Sequence, residues 1–277
     1  MESNELSVVI VTYKSEDKIF SCLDSIPTNI SIFVIENSKN ENFKKNLENK
    51  YSNVKCILTG SNKGYSAANN IGLSKVKTKY ALVLNPDTIV LKNSIRNFLN
   101  STTSNKDFWL MGPANDQLQN KNFSKTGILE VENLKGFAIF FNLEKFNQKF
   151  FDENFFLYFE EIDLCKHVKR NGGKILLNRN IAIKHEGGSS VKKNSLIALE
   201  KNRNWHWMWS TFYYHKKYKG FFIALIIIMP KLISSIFKTL IYKIFSNKEK
   251  KEIYFCRMSG IINSIIGKKS WYRPSLD

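Results

Sequence analysis

The chain is 277 residues long, 43% hydrophobic and 13% aromatic, which supplies one sizeable α/β core with a smaller appendage and excludes an intrinsically disordered protein. Its four cysteines, Cys22, Cys56, Cys165 and Cys256, lie far apart with no C-x-x-C pair, which excludes a zinc knuckle or dithiol redox motif and fits reduced, packed thiols. The formal net charge is +18, and residues 192–277, with 17 Lys/Arg against 4 Asp/Glu, carry +13 of it.

Met1 to Glu5 holds two glutamates and no basic segment followed by an apolar one, so no secretory leader is expected and the chain reads as cytoplasmic. Residues 6–13 form a β-branched apolar run, and a helix-compatible segment, 15–26, follows it. The alternation continues with a strand at 30–37, a helix at 41–50, a strand at 54–58, a glycine-containing loop, a helix at 66–76 and a strand at 80–85. Such alternation predicts a Rossmann-like, mostly parallel sheet flanked by helices.

After Pro86 the pattern loosens into a helix near 92–100, a strand at 108–112 and a strand over 136–142. From Phe155 the sequence FFLYFEEIDLCKHVKRNGG predicts a helix with Ile162, Cys165 and Val168 on one face and a stop at Gly172-Gly173. Two strand-like runs, KILLN and IAIKH, come next. A boundary near residue 192 then divides an expected domain 1–191 from a basic, amphipathic helical region 192–277, with the aromatic cluster WHWMWSTFYY (205–214) and an apolar run over 220–245.

In open α/β sheets ligands sit beyond the carboxyl ends of the strands, here Thr12-Tyr13, Glu36-Asn37 and Asn85-Pro86-Asp87. No G-x-G-x-x-G follows the first strand and no G-x-x-x-x-G-K-[ST] occurs anywhere, which disfavours a dinucleotide-dependent dehydrogenase or a P-loop enzyme. The segment TYKSEDK is unlike the glycine-rich basic loop of a nucleotidyltransferase. Asn85-Pro86-Asp87 by itself reads as a turn, in which proline sets φ and the aspartate caps.

The ordered set SVVIVTYKS, VIENS, GSNKGYSAANNIGL, LVLNPDT, a Gly136 strand, FFLYFEEIDLC and IKHEGGSS resembles the family 2 glycosyltransferases of GT-A fold, particularly rhamnosyltransferase-like members that build bacterial surface polysaccharides. The resemblance covers roughly residues 6–190. It implies an inverting transfer of a sugar, rhamnose among the candidates, from a nucleotide diphosphate donor (dTDP- or UDP-sugar) to a hydroxyl of a glycan or polyprenyl-linked acceptor. It places Asn85 and Asp87 at the family's D-x-D motif, with Asn replacing the first acid. Asp87 and His185 would then bind Mg2+ or Mn2+, cations suited to carboxylate oxygen and able to bridge two phosphates.

On the same resemblance, Glu161 occupies the general-base position of an acid-Asp-x-Asp pattern, with Glu160 and Asp163 as alternatives. All three acids also suit the start of a helix, where carboxylates meet a favourable dipole. Thr12, Tyr13, Glu36, Asn62, Lys63, Gly64 and Asn69 complete the implied nucleotide-sugar pocket, with Glu36 accepting a hydrogen bond from the base.

The tail's lysines at 231, 238 and 243, with Ile, Leu and Phe between them, suit helices lying peripherally on an anionic membrane, here the inner face of the cell membrane. Pro230-Lys231 interrupts the apolar run and argues against a full span, and packing of these helices as ordinary core is the plainer alternative. Two other classes are a non-catalytic nucleotide-sugar-binding homologue, suggested by Asn85 and Glu161, and a basic nucleic-acid-binding protein. The greasy character of the basic segment and the absence of any nucleic-acid motif argue against the second.

Overall fold

A computed structural model describes residues 5–115, 127–147, 149–185 and 193–274. Contacts divide the chain into two compact units: Met1–Asp152 with Glu160–Gly187, and Glu153–Phe159 with Gly188–Asp277.

The first unit is a nine-stranded mixed sheet with helices on both faces. In chain order its elements are β1 (Leu6–Thr12), α1 (Glu16–Asp24), β2 (Ser31–Glu36), α2 (Glu41–Lys50), β3 (Val54–Leu58), α3 (Tyr65–Leu73), β4 (Tyr80–Leu84), β5 (Thr88–Val90), α4 (Ser94–Ser104), β6 (Phe108–Asn115), β7 (Ile128–Glu130), β8 (Ala138–Asn142), α5 (Glu160–Arg170) and β9 (Lys174–His185). The sheet order is β3-β2-β1-β4-β8-β6-β9-β5, with β7 against β9. β1 pairs in parallel with β2 and β4, and β2 in parallel with β3, whereas β8 runs antiparallel to β4 and β6.

Parallel strands covered on both faces read as continuous apolar runs. Here the LSVVIVT of β1 and the YALVL of β4 are buried along nearly their whole length. One face packs Ile19, Leu23, Phe43 and Leu47 of α1 and α2 over Val8, Ile10 and Val34. The other packs Ala68 and Leu73 of α3 and Leu164, Cys165 and Val168 of α5 over Val9, Val83 and Phe141. All four cysteines are buried and free, and burial pushes the Cys22 and Cys165 thiols up to about 11.

The architecture is the α/β one expected from the sequence, with three local differences. KILLN and IAIKH are one strand, because Asn178 pairs with Pro113 and Ala182 with the very next residue of β6, so the residues between bulge within a continuous β9. On α5 the buried face is Asp163, Leu164, Cys165 and Val168, with Ile162 only partly covered. β8 starts at Ala138 rather than 136, because Gly136 and Phe137 form the turn that leads into it. The tail of the IKHEGGSS motif, residues 186–190, lies outside the described residues.

The second unit contains α6 (Lys193–Lys219), α7 (Phe221–Ile244) and α8 (Lys248–Ile265), with the segment Glu153–Phe159. Met208 and Phe212 of α6, Ala224 and Ile228 of α7 and Ile261 of α8 form its core. Gly260 allows α8 to reach the α6 backbone: a Cβ there would lie 2.3 Å from the carbonyl oxygen of Trp205. α7 continues through Pro230, although the proline removes one intrahelical bond, because its other side chains are anchored against α6 and α8. By length and composition it can cross a membrane. Phe222, Ile226, Ile233, Phe237, Leu240 and Ile244 recur every three, four or seven residues and share one exposed face, and Phe222 is 79% exposed.

Candidate active site

The carboxyl ends of β1, β2 and β3 are tied together by side chains. Thr12 donates its hydroxyl to Glu36 Oε2 at 2.6 Å, and Ser38 donates to Oε1. Glu36 is only 1% exposed, and burial, against the two hydroxyl donors, holds its carboxyl above the usual range. Asn37, next along, donates from Nδ2 to Asn62 Oδ1 (3.0 Å) and to the Gly64 carbonyl (3.2 Å). Its Oδ1 accepts from the Lys63 amide (2.8 Å) and the Thr59 hydroxyl (3.0 Å). The loop between β3 and α3 is thereby moulded around one buried amide, and Gly64, with φ +87°, supplies a backbone turn that L side chains rarely adopt.

The dipeptide Gly136-Phe137 joins three other parts of the site. The Gly136 carbonyl accepts the Tyr65 hydroxyl at 2.9 Å. Glu161 lies beside the same glycine, its Cβ and Cγ 3.5 Å from where a Gly136 Cβ would stand. The Phe137 carbonyl accepts the Asn85 amide at 2.9 Å, and the Phe137 ring stacks on His185 at a centroid distance of 5.0 Å.

β5 and β9 are antiparallel with Thr88 opposite His185, and this register brings His185 Nε2 within 3.2 Å of Asp87 Oδ1. Burial alone would raise the Asp87 carboxyl, but the hydrogen bond and charge of His185 outweigh it and hold the group below its ordinary value. Asn85 closes the preceding turn, its carbonyl accepting the Thr88 hydroxyl at 2.7 Å.

At the start of α5, Glu160 is 8% exposed and its Oε2 has no hydrogen-bond partner. Burial, reinforced by the charge of Glu161, pushes it up to about 8. Glu161 is half-buried and also raised, chiefly by burial. Asp163 is buried. The Tyr65 phenol is pushed upward by burial and then by the negative charges of Glu160, Glu161 and Asp87, as follows if all three acids surround one ring.

Among the residues singled out from sequence, Asn85, Asp87, His185 and Glu161 are thus linked through Gly136-Phe137, while Asn62, Lys63 and Gly64 share the loop held by Asn37. Thr12 and Glu36 are buried against one another, and Tyr13 is half-buried at the same strand end. Asn69 is fully buried, donating to the Tyr65 carbonyl at 3.0 Å, with its Oδ1 unpartnered. The sequence points to Asn37 only as a strand-end residue and gives no role to Ser38 or Phe137. Asn37 and Ser38 stand directly after a strand, the position where a polar residue carries most information.

Asp87 and His185 present a carboxylate oxygen and an imidazole nitrogen side by side, both partly exposed, a donor set compatible with Mg2+ or Mn2+. Among the described residues no three His, Cys, Asp or Glu groups converge on one point.

The mixed sheet with its flanking helices is a GT-A fold. It is similar to the mannosyltransferase PcManGT from Pyrobaculum calidifontis, solved in complex with GDP-Man and Mn2+, at 11% identity and a TM-score of 0.58 over 96% of this chain and 88% of that one. It is also similar to GalNAc-T7, solved with UDP, GalNAc and Mn2+, at 15% identity and a TM-score of 0.56 over 75% of this chain and 50% of that one. The sequence profile of glycosyl transferase family 2 matches residues 7–165, and the chain belongs to that family. A curated relative, the low-salt glycan biosynthesis hexosyltransferase Agl10 of Haloferax volcanii, is 26% identical over 197 residues. That match spans 60% of this chain and 62% of the relative.

Proposed function

We propose that this protein transfers a hexose or deoxyhexose from a nucleotide diphosphate sugar to a glycan or lipid-linked hydroxyl, with inversion at the anomeric carbon. The observation that carries this reading is the Gly136-Phe137 hub, which ties Glu161, Asn85 and the Asp87–His185 pair to one turn. Family membership supports the reaction class. The names of the relatives support a nucleotide-sugar donor and a role in glycan synthesis, and rhamnose remains one candidate sugar.

Asp87 and His185 would hold a divalent cation, which when bound neutralises the diphosphate of the donor. The moulded loop with Asn62, Lys63 and Gly64 lies where the nucleotide is expected, and Lys63 offers a cation to the departing diphosphate. Glu36 accepts one hydroxyl on each carboxylate oxygen and is 1% exposed, so its contact with a base requires the strand end to open.

The acceptor hydroxyl oxygen forms the new bond to the anomeric carbon as the bond from that carbon to the diphosphate oxygen breaks. The acceptor proton passes to a carboxylate, and the nucleoside diphosphate leaves with the electron pair. Glu161 fits the base better than its neighbours: Glu160 is buried and, at about 8, mostly protonated near neutrality, and Asp163 is buried. The Glu161 carboxyl, raised chiefly by burial, is a stronger base than an ordinary glutamate.

The exposed apolar face of α7, in a segment carrying net +13, supports a peripheral position on an anionic membrane surface, where a lipid-linked acceptor would be found. The test of the reaction class is release of nucleoside diphosphate from UDP-, dTDP- and GDP-sugars by wild type and by Glu161→Gln. Turnover of one donor by wild type, lost in the variant that still binds it, is expected. Release by neither, with no donor bound, would contradict the reading and favour a non-catalytic homologue.

A further inference from the structure

Within the first unit, α1 runs back along the turn and strand that carry Asp87. Ser25, which caps the helix, accepts the Val90 amide of β5 on its hydroxyl at 2.9 Å. One turn earlier, the Cys22 sulfur lies 3.5 Å from the Thr88 hydroxyl and 3.8 Å from the Asn85 carbonyl. Residues three and four apart share one face of a helix, so Lys18 stands on this same face a further turn back. Ser25 meets Val90 and Cys22 meets Thr88, and the next step along this antiparallel pair brings Lys18 to Asp87.

The electrostatics agree with that placement. Burial would raise the Asp87 carboxyl, His185 lowers it, and the charge of Lys18 lowers it further. The Lys18 amide donates to the Ser15 carbonyl at 3.1 Å, so the residue belongs to the first turn of α1, close to Thr12-Tyr13 at the end of β1. Of the two acids in that turn, Glu16 accepts the Asn40 side chain at 3.2 Å, and Asp17, one residue round the helix, is exposed. Lys18 itself is partly exposed.

Asp87 and His185 offer a single carboxylate, because Asn85 stands where the family's motif has a second acid. An imidazole brings no negative charge, so the pair leaves a divalent cation incompletely neutralised, and Lys18 adds positive charge at the same turn. Such a balance suits an anion with several oxygens, and a lysine ammonium is a compact charge well matched to a phosphate oxygen.

We propose that Lys18 binds the diphosphate of the nucleotide donor, beside the cation held by Asp87 and His185. This rests on the reading of the chain as a nucleotide-sugar transferase. The negative charge that gathers on the diphosphate as its bond to the anomeric carbon breaks is then met from α1 as well as from the Asp87 turn.

The experiment uses the full chain as wild type, Lys18→Met, Lys18→Arg and Asp87→Ala. Calorimetry measures the binding of UDP, dTDP and GDP, of the matching nucleosides and of inorganic pyrophosphate, all with Mn2+, and the binding of Mn2+ alone. Lys18→Met, which keeps the aliphatic stem, is expected to weaken nucleoside diphosphate and pyrophosphate by about 10-fold, with the nucleoside within about twofold. It should bind Mn2+ alone at least as tightly as wild type, since a neighbouring positive charge is gone, whereas Asp87→Ala should lose Mn2+. Lys18→Arg, which keeps the charge, should restore most of the diphosphate affinity. Equal diphosphate affinity in wild type and Lys18→Met would overturn the proposal, and so would an equal loss for the nucleoside or a loss of Mn2+, either of which would mean a disturbed site. If wild type binds pyrophosphate through Lys18 but none of the nucleotides, the donor reading falls and the anion site stands; if it binds neither, both fall.

Discussion

Glu161 lies beside Gly136, its Cβ 3.5 Å from the point where a Gly136 Cβ would stand. Glu161 is half-buried, and burial is the main cause that raises its carboxyl above the ordinary value. A base must be ionised to act, so turnover should fall on acidification through a pKa above the ordinary glutamate value of about 4.3. A pH–rate profile for donor turnover checks this. Glu161→Gln should lose about 10²- to 10⁴-fold in kcat and the acid limb with it. A profile flat down to pH 4.5 would place the base elsewhere.

Glu160 gives a stability prediction of definite sign. Its folded pKa, about 8, lies above its unfolded one, so its contribution to stability is fully present below the unfolded value and is lost as pH rises toward 8. Glu160→Gln removes that loss. Above pH 8 the variant should melt higher than wild type, by roughly 5 °C, and below pH 4 the two should converge. Melting curves from pH 4 to 9 check it, and a difference independent of pH would mean Glu160 is ionised or unperturbed in the folded chain.

Much of the fold was legible because β1 to β4 are short β-branched runs punctuated by polar helices, a pattern only a covered parallel sheet satisfies. β9 was read as two strands because Asn178-Arg179-Asn180 has the composition of a turn, and only its pairing with β6 shows that these residues bulge within one strand. Pro230-Lys231 interrupts the apolar run and argues against a full span, whereas α7 continues through the proline as one helix long and apolar enough to cross a membrane. In the site, Asp87 and His185 were found by motif order. The four hydrogen bonds of Asn37 depend on a loop more than 20 residues away, and nothing local to VIENS announces them.

Asn37→Ala should therefore be more damaging than a strand-end substitution ordinarily is. It leaves the Lys63 amide without its buried acceptor, a cost of about 2 kcal/mol, while the Thr59 hydroxyl keeps the Ser61 carbonyl. Donor KM should rise more than kcat falls, because the loop it moulds is assigned to the nucleotide. Denaturant unfolding and steady-state kinetics check the two effects. Unchanged stability would show that the amide is dispensable to the loop.

The apolar face of α7 can be tested apart from catalysis. Replacing Phe222, Ile226 and Phe237 by serine touches exposed positions only, so melting temperature should shift little. Flotation with vesicles containing phosphatidylglycerol should fall by about 10-fold or more, while wild type should bind neutral phosphatidylcholine vesicles weakly. Equal flotation of wild type and variant would remove the membrane from the account.

The most direct test of the nucleotide-sugar reading is thermal unfolding of wild type and Asp87→Ala against UDP-, dTDP- and GDP-sugars, each with Mn2+ and with EDTA. A donor at 100 times its Kd adds about 2.7 kcal/mol, which at this size is a rise of roughly 5 °C or more. One donor should raise the midpoint of wild type with Mn2+, and the rise should vanish in EDTA and in Asp87→Ala. No shift with any donor, or a shift of the same size in Asp87→Ala, would contradict the assignment of Asp87 and His185 to the donor's diphosphate.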